Sequence, residues 1–422
     1  MDQIASYVAI GAAGLLGLYI LTLLFGSLRQ QAHLGRHYEE QSALFRARAE
    51  SLQKVRAEQI EKTKNTWAGL RKFEVAKKVP EIDGCHSIYL KPHDGRPLPP
   101  FEPGQFLTFT FKVPDQANDV IRCYSLSDAP GRDYYRITVK KVPPPRDKPE
   151  IPPGVSSTYV NEILQEGDII DVRAPNGGFY LKREQRRPVV LIGGGVGITP
   201  VLSMLNYIVE HEPDRETWFF LGVPTKSQHI MKDHLKRIAE ENPNVHMHVC
   251  YSDPIDGDFL GEDYDHHARV SVELFKQLLP SNNYEFYFCG PPPMMNALDA
   301  DLKAWGVPEA DIHYEAFGPA SVKKPAPPPA AAGEAAAESI SVTFAKAGKT
   351  LEWTPAAGTI LDLAEANGVN IASGCRAGSC GTCLTAVLEG EVTYATPPDA
   401  TIENGSCLAC VGAPKGALKI DA

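Results

Sequence analysis

Cysteine is scarce in this sequence, and basic residues do not outnumber acidic ones; each shortage excludes a class of protein. Nine cysteines among 422 residues are too few for a disulfide-stabilised scaffold. The chain has 42 lysines and arginines against 52 aspartates and glutamates, a net charge of -10, whereas a general nucleic-acid-binding protein carries a basic face. The mean hydropathy of -0.21 excludes several membrane spans. The chain length predicts roughly two to four domains.

Charge is absent from residues 4–28. A helix of that length, at about 1.5 Å per residue, exceeds the roughly 30 Å hydrocarbon core of a bilayer. A secretory signal peptide is the alternative, but no basic residue precedes the segment and its apolar run is long. Because Arg29 and Arg36 follow the segment and Asp2 precedes it, the positive-inside rule puts the N-terminus outside. We therefore expect a single-pass helix in the inner (cytoplasmic) membrane, with the catalytic domains in the cytoplasm.

Proline is absent from the next stretch, residues 29–72, which holds ten Lys/Arg and five Asp/Glu. This pattern predicts a charged helical stalk over 29–66. Its basic side chains are suited to contact with anionic lipid headgroups.

The rest of the chain divides by its pattern of turns and hydrophobic runs. Short β-type runs separated by proline and glycine, such as Phe106–Phe111, fill residues 67–186 and predict an antiparallel β-barrel. Strands alternate with helices over 187–318, which predicts an α/β domain with a parallel sheet. Residues 319–339 are rich in proline and alanine and predict a linker. The remaining residues, 340–422, form a separate small unit.

That last unit holds five of the nine cysteines. Cys375, Cys380 and Cys383 have the spacing C-x4-C-x2-C, which plant-type [2Fe-2S] sites combine with one distant cysteine. The loop must direct several thiolates at one compact cluster, and glycines within it let the backbone curl around the sulfides. The spacing therefore predicts a [2Fe-2S] site.

The distant ligand is Cys407 or Cys410 on spacing alone. A zinc ribbon is the main alternative, because two C-x2-C pairs stand at a suitable separation. Those pairs are Cys380 with Cys383 and Cys407 with Cys410. Such a site leaves Cys375 without a role in the middle of the glycine-containing loop.

Residues 340–422 resemble a plant-type ferredoxin domain, which implies an α+β, β-grasp fold. In that family the fourth ligand lies in a segment like Leu408-Ala409-Cys410, followed by a proline such as Pro414. The resemblance thus implies that Cys410 is the fourth ligand and that Cys407 is a packed spare.

A second motif, R-x-Y-S, stands where a predicted barrel strand ends, and a Gly-x-Ser-Ser segment follows it. Pyrophosphate favours a guanidinium and free backbone N–H groups. Arg122 offers the first, and a helix expected to begin near Ser156 or Ser157 offers the second. The candidate flavin-binding residues are Arg122, Tyr124, Ser125, Gly154, Ser156 and Ser157.

With Trp67–Phe73 and Tyr124–Pro130, these motifs resemble the ferredoxin-NADP reductase superfamily over residues 67–318, especially the reductase part of flavohaemoglobins. The resemblance implies that Tyr124 packs against FAD and that Ser125 hydrogen-bonds near the flavin N5. Taken singly, Arg122 could form a surface ion pair and Tyr124 could be an ordinary barrel-core residue.

The dinucleotide fingerprint G-x-G-x-x-G is missing, and G-G-G-x-G-x-T-P stands in its place after the strand Val189–Ile192. A glycine turn between a strand and a helix predicts a pyrophosphate site. This order of residues is typical of the nicotinamide domain of the same superfamily. The candidate nicotinamide-binding residues are Gly193, Gly194, Gly195, Gly197, Thr199 and Gly290.

Two more residues gain a role from the resemblance. It implies that Cys289 lies beside the nicotinamide C4, and that Phe317, in the closing tetrapeptide Glu315–Gly318, covers the flavin until nicotinamide displaces it. A buried core cysteine and an edge-strand aromatic are the alternatives. We take Ser125, Cys289 and Phe317 as candidate catalytic residues.

The preferred nucleotide is expected to be NADH. Recognition of the 2'-phosphate of NADPH would require a basic residue just after the second strand of the nicotinamide domain. Lys226 is the nearby candidate, and Pro224 stands where NADPH-preferring relatives carry arginine.

Together these features predict a membrane-anchored reductase that passes electrons from NADH through FAD to a [2Fe-2S] cluster. The expected acceptor is an oxygenase, hydroxylase or desaturase component, and no nucleic-acid partner is expected. The linker suggests that the ferredoxin unit moves between flavin and acceptor. A subunit of an NADH:quinone-type reductase and a redox sensor or scaffold are the alternatives.

Overall fold

The computed structural model describes residues 66–144, 148–317, 339–395, 398, 400 and 402–422. The predicted membrane helix over 4–28, nearly all of the predicted stalk and most of the predicted linker lie outside these residues. Within the described ranges, no helix combines the length and the apolar character that crossing a membrane requires.

The first domain is built on an antiparallel sheet. Its strands are β1 (Arg71–Ile82), β2 (Cys85–Pro92), β3 (Phe106–Phe111), β4 (Val120–Ser125), β5 (Tyr135–Lys140) and β6 (Ile169–Asn176). They lie in the order β4-β3-β6-β1-β2-β5. An antiparallel bridge between Leu126 and Ile137 joins the two edges, so the sheet closes on itself as the predicted barrel does. Aromatic side chains such as Phe73 and Phe109 fill its interior.

A short helix crosses one end of this barrel. Helix α1 (Val155–Thr158) continues through a π-helical turn at Tyr159–Ile163. Val160 and Leu164 anchor it in the barrel core. The helix starts one residue before the expected position, directly after Gly154.

The second domain has the predicted parallel sheet. Its strands are β7 (Val189–Gly194), β8 (Thr217–Val223), β9 (Val245–Tyr251), β10 (His266–His267), β11 (Glu285–Cys289) and β12 (Ile312–Glu315), and its helices are α2 (Ile198–His211), α3 (Lys232–Glu241), α4 (Val272–Leu278) and α5 (Pro292–Ala304). The strand order is β10-β9-β8-β7-β11-β12. Alternate residues of β7 enter two cores, Leu191 with α2 and α3 and Ile192 with α4 and α5. The sheet is therefore covered on both faces.

The third domain is small and mixed in strand direction. Its elements are β13 (Ile340–Phe344), β14 (Lys349–Trp353), α6 (Ile360–Ala366), β15 (Leu384–Glu389), β16 (Val392–Tyr394), β17 (Ser406–Leu408), β18 (Gly412–Pro414) and β19 (Leu418–Ile420). The main sheet has the order β14-β13-β19-β15-β17. Thr359 and Asp362 form a capping box at the start of α6. A mixed sheet with one packed helix agrees with the predicted α+β class.

Candidate functional site

Strand β4 brings its last residues to the α1 helix. A 2.8 Å hydrogen bond joins the Tyr124 and Ser156 hydroxyls. The Tyr124 ring packs 5.7 Å from the ring of Phe109, and burial raises the pKa of its phenol. Two residues predicted separately to bind flavin therefore lie in direct contact.

The start of α1 is shaped by its glycine. The Ser157 hydroxyl donates to the Gly154 carbonyl at 3.0 Å and accepts from the Val142 N–H at 3.0 Å. A Cβ on Gly154 would lie only 2.8 Å from Ser157 Oγ. Ser157 thus fixes the turn. No described side chain caps the helix, and its first N–H groups are available to an anion.

Arg122 lies on the same face of β4 as Tyr124, because side chains two apart in a strand share a face. It is exposed, and its Nη1 donates to the Ile121 carbonyl at 2.7 Å. Among the described ion pairs, none joins Arg122 to a carboxylate. The surface ion pair weighed as an alternative for Arg122 does not appear in this part of the chain.

Ser125 connects the barrel to the parallel sheet. It is buried, and its Oγ donates to Glu315 Oε2 at 3.2 Å. Glu315 is the register partner of Cys289 on the neighbouring strand. Ser125 therefore bonds the side chain of the residue that pairs with Cys289 in the sheet. Glu315 is not among the residues that the sequence motifs single out, and its place two residues before Phe317 is the signal that points to it.

Cys289 itself is fully buried. Burial, with Glu315 nearby, raises the pKa of its thiol well above the usual range, so it remains protonated. Phe317 follows β12 and is 42% exposed, and its predicted stacking on flavin remains a prediction.

The glycine turn follows β7 and lies beside the end of β11. A Cβ on Gly197 would lie 2.3 Å from the Cys289 carbonyl oxygen, and one on Gly193 would lie 2.8 Å from Ile198 Cα. Because these backbone atoms cannot move away as a flexible side chain could, a side chain larger than that of glycine would clash at both positions. The glycine turn and the strand of Cys289 therefore meet backbone to backbone.

The other predicted nicotinamide residues complete this turn. Gly195 has a φ of +55° with nothing within 4 Å of an added Cβ, so glycine is favoured there for conformation. A Cβ on Gly290 would lie 2.3 Å from Met294 Cε, and one on Gly194 would lie 2.7 Å from Pro291 Cδ. The Thr199 hydroxyl donates to the Val196 carbonyl at 3.1 Å.

The position of the glycine turn in the sheet also supports a binding crevice at the carboxyl ends of β7 and β11. From β7 the chain continues to β8, which lies on one side of β7 in the sheet. Strand β11 lies on the other side of β7. Ligands of open parallel sheets bind outside the carboxyl ends of the strands where the order reverses. The glycine turn and Cys289 flank this point.

Lys226 lies just after β8 and is already engaged. Its Nζ lies 3.0 Å from Oδ1 of Asp263, whose side chain is fully buried, and Lys232 also pairs with that carboxylate. The hydrogen bond to Asp263 raises the pKa of Lys226. The lysine expected to recognise a 2'-phosphate is thus already paired with a carboxylate of this chain, which it shares with Lys232.

The cysteine loop forms the second half of the site. The Cys375 sulfur accepts backbone N–H groups from Ala377 at 3.4 Å, Ser379 at 3.3 Å and Cys380 at 3.3 Å. The Cys380 sulfur accepts the N–H of Cys375 at 3.3 Å. Such donors stabilise negative charge on sulfur, which suits thiolates bound to iron.

The four predicted ligand thiols fall into two pairs. Cys375 hydrogen-bonds Cys380, and Cys383 hydrogen-bonds Cys410. No group of three or more ligand-type side chains within the described ranges converges as the ligands of a single metal ion do. Two thiol pairs fit two irons with two thiolates each, so the residues present suit a [2Fe-2S] cluster better than one zinc ion.

Their acid-base state agrees with this use. Hydrogen bonds from Cys123 and Cys375 hold the pKa of Cys380 well below the usual range of a thiol. A hydrogen bond from Cys410 lowers the pKa of Cys383. In one member of each pair these contacts favour the thiolate, which is the form that binds metal.

Cys407 is set apart from these pairs. It lies on β17 and is fully buried, and burial raises its pKa to about 12. The backbone N–H of Gly378 bonds Cys410 instead. The structure thus groups Cys410 with the loop and packs Cys407 in the core of the domain.

The cysteine loop lies against the barrel, a contact that the sequence did not predict. The Asn176 Nδ2 donates to the Ser379 carbonyl at 3.0 Å. The Cys123 thiol hydrogen-bonds the Cys380 sulfur and lies 3.4 Å from Thr108 Oγ1. Strand β4 therefore contacts both the predicted flavin site and the predicted cluster site.

Comparisons with known families and proteins agree with this architecture. Residues 98–180 match the oxidoreductase FAD-binding domain family, residues 191–300 the oxidoreductase NAD-binding domain family and residues 343–415 the 2Fe-2S iron-sulfur cluster binding domain family. These matches show that the chain contains an FAD-binding domain and an NAD-binding domain of oxidoreductase type, followed by a 2Fe-2S domain. Its FAD and NAD domains are those of the NAD(P)H oxidoreductases of the ferredoxin-NADP reductase type, as the resemblance implied.

Individual relatives cover different parts of the chain. A flavohemoprotein of Halalkalibacterium halodurans is 39% identical over 269 residues, which are 64% of this chain and 65% of that protein. The chain thus spans slightly less than two thirds of the length of this relative. The FAD/NAD-binding domain of a nitric oxide dioxygenase from Vibrio cholerae is 30% identical with a TM-score of 0.53, covering 60% of this chain and 100% of that structure.

One solved structure extends over all three domain types. Phthalate dioxygenase reductase, described as modular for electron transfer from pyridine nucleotides to [2Fe-2S], has a TM-score of 0.52 at 24% identity. The match covers 84% of this chain and 98% of that one. At this identity the likeness shows a shared fold.

Proposed function

We propose that this protein is an NADH-dependent reductase that delivers electrons one at a time from its [2Fe-2S] domain to an oxygenase, hydroxylase or desaturase component. The contact between the cysteine loop and strand β4 carries this proposal. Tyr124 on that strand contacts Ser156 of the predicted flavin site, and Cys123, the residue before it, reaches Cys380. The two cofactor sites thus share one strand.

The chain's own residues hold and orient the reactants. FAD, when bound, supplies the exchange between the two-electron chemistry of a hydride and the one-electron chemistry of an iron-sulfur centre. Gly197 and Gly193 let the α2 turn bind a pyrophosphate closely. Ser125, held by Glu315, presents a hydroxyl at the junction of the two nucleotide domains. The four paired thiols, three in the cysteine loop and the fourth on Cys410, would hold the irons of a bound cluster.

The proposed preference for NADH over NADPH rests on the surroundings of Lys226. Its ammonium is committed to Asp263, so a 2'-phosphate would have to compete with a buried carboxylate. Burial of the Asp263 side chain makes that pair harder to break than an exposed one.

The acceptor and the membrane location are parts of the same proposal. The fold shared with phthalate dioxygenase reductase supports an oxygenase component as acceptor. The uncharged segment 4–28 supports an anchor that keeps the reductase at the cytoplasmic membrane beside its partner.

The function is tested with two acceptors and a matched pair of variants. Purified full-length protein is given NADH under anaerobic conditions, with cytochrome c as the acceptor for electrons that pass the cluster and ferricyanide as the acceptor for flavin electrons. We expect Cys383→Ser to lose cytochrome c reduction and keep ferricyanide reduction, and Cys407→Ser to keep both. Unchanged cytochrome c reduction in Cys383→Ser would show that the cluster is not on the path.

A further inference from the structure

Cys123 has a position that the flavin motif does not explain. It lies between Arg122 and Tyr124 on β4, so its side chain points to the opposite face of the strand from theirs. There its thiol is half-buried and hydrogen-bonds the Cys380 sulfur. Thr108 Oγ1, on the neighbouring strand β3, lies 3.4 Å away and holds the thiol in place.

The approach of the two domains at this point is close. A Cβ on Gly374 would lie 3.1 Å from the Cys380 sulfur and 3.5 Å from the Cys123 sulfur. The Asn176 amide secures the same loop through the Ser379 carbonyl at 3.0 Å. The contact between Cys123 and Cys380 is therefore part of a defined docking surface.

Cys123 differs from the other groups that hydrogen-bond the loop sulfurs. The N–H groups of Ala377 and Ser379 belong to the ferredoxin domain and stay with the cluster wherever that domain moves. Cys123 belongs to the barrel. Among the described contacts to the four ligand sulfurs, it is the donor that would be lost when the domains separate.

Hydrogen bonds to cluster sulfurs make reduction easier, because a donor stabilises the extra negative charge. A thiol can donate such a bond to a neighbouring sulfur. The Cys123 bond therefore favours the reduced cluster, and it does so only while the ferredoxin domain is docked.

We propose that Cys123 couples docking of the ferredoxin domain to the reduction potential of its cluster, which is higher in the docked state and lower after release. This inference rests on the proposed function. In the docked state one electron leaves the reduced flavin and enters the cluster, and the Cys123 proton stays on its sulfur. After release the cluster is the stronger reductant toward an acceptor. Because coupling is reciprocal, reduction of the cluster also tightens docking.

The test is a potentiometric titration of the cluster in the full-length protein, followed by electron paramagnetic resonance and independent of NADH and acceptor. The variants are Cys123→Ala, which removes the donor, and Cys123→Ser, which keeps one. Cys250→Ala is the control, because it removes a thiol buried in β9. We expect Cys123→Ala to disfavour cluster reduction by about three- to tenfold, the effect of one hydrogen bond, where tenfold corresponds to about 59 mV.

The measured potentials either support the coupling or contradict it. A lower potential in Cys123→Ala, largely restored in Cys123→Ser and absent in Cys250→Ala, supports the coupling. Equal potentials in all proteins, or equal shifts in both Cys123 variants, overturn it. If the wild-type protein shows no [2Fe-2S] signal at all, the proposed function fails together with the inference, and this result is distinguishable from an intact cluster with an unchanged potential.

Discussion

The Ser125 hydroxyl donates a 3.2 Å hydrogen bond to the Glu315 carboxylate across 190 residues of sequence. It ties the last residue of β4 in the barrel to the last residue of β12 in the parallel sheet. The bond fixes the junction between the two domains, where the proposed hydride transfer would take place.

Removal of the Ser125 hydroxyl is expected to slow hydride transfer. We predict that Ser125→Ala lowers the rate constant of flavin reduction by NADH about ten- to a hundredfold, because a group positioned at the reacting centre contributes on this scale. Stopped-flow absorbance under anaerobic conditions measures it. FAD content should remain near one per chain, and Ser281→Ala, an exposed serine far from β4, should match the wild type. A rate within twofold of the wild type in Ser125→Ala would remove Ser125 from the catalytic set.

Cys410 and Cys407 provide a matched test of the fourth cluster ligand. Cys410 is paired with Cys383, whereas Cys407 is buried on β17. We predict that Cys410→Ala loses the cluster, because one iron is left with a single thiolate, and that Cys407→Ala retains it. Iron and sulfide analysis with visible circular dichroism checks both. Loss of the cluster in Cys407→Ala alone would reassign the ligand.

The pair formed by Lys226 and Asp263 is expected to set nucleotide preference. We predict that Asp263→Asn raises kcat/KM for NADPH about three- to tenfold while kcat/KM for NADH stays within twofold. The released ammonium can then form a charge-assisted hydrogen bond to the 2'-phosphate. Steady-state kinetics with both nucleotides measure the ratio. Adding Lys226→Ala should abolish the gain, and a gain that persists in the double variant would contradict the assignment.

The surroundings of His234 indicate that the junction of the two nucleotide domains loses stability in acid. Its Nε2 lies 2.8 Å from Asn206 Oδ1, and the Asn206 amide donates to Asp128 of the barrel at 3.0 Å. Burial, with Arg136 nearby, lowers the pKa of His234 to about 4. A histidine with a depressed pKa in the folded state contributes stability above pH 6.5, and this contribution is lost as pH falls toward 4.

We therefore expect the wild type to lose about 2 kcal/mol more than His234→Gln between pH 6.5 and pH 4, after allowance for solvent screening. Thermal midpoints from calorimetry across this range measure the difference. The exposed His267→Gln should follow the wild type. Parallel pH profiles for the wild type and His234→Gln would exclude this role.

Local pattern was enough to predict the elements that hold the site. The run Phe106–Phe111 is the predicted strand residue for residue, and the glycine turn after Ile192 leads from β7 into α2 as expected. These features depend on neighbours in the chain, where periodicity and glycine content are informative.

The long-range partners could not be predicted in the same way. Nothing near Ser125 in sequence indicates Glu315, and nothing near Cys123 indicates Cys380. Lys226 looked available to a phosphate because its partner Asp263 lies on a distant loop. The first two contacts depend on how whole domains pack, and the third depends on how two loops of one domain meet. A single sequence does not encode either in any local spacing.

Strand β4 separates the two cofactor sites by the thickness of a single polypeptide backbone. Residues 122 and 124 face one site and residue 123 faces the other. A substitution that moves this backbone to suit one cofactor also displaces the group that faces the other. We therefore expect a change engineered at either predicted site to require compensation at the other.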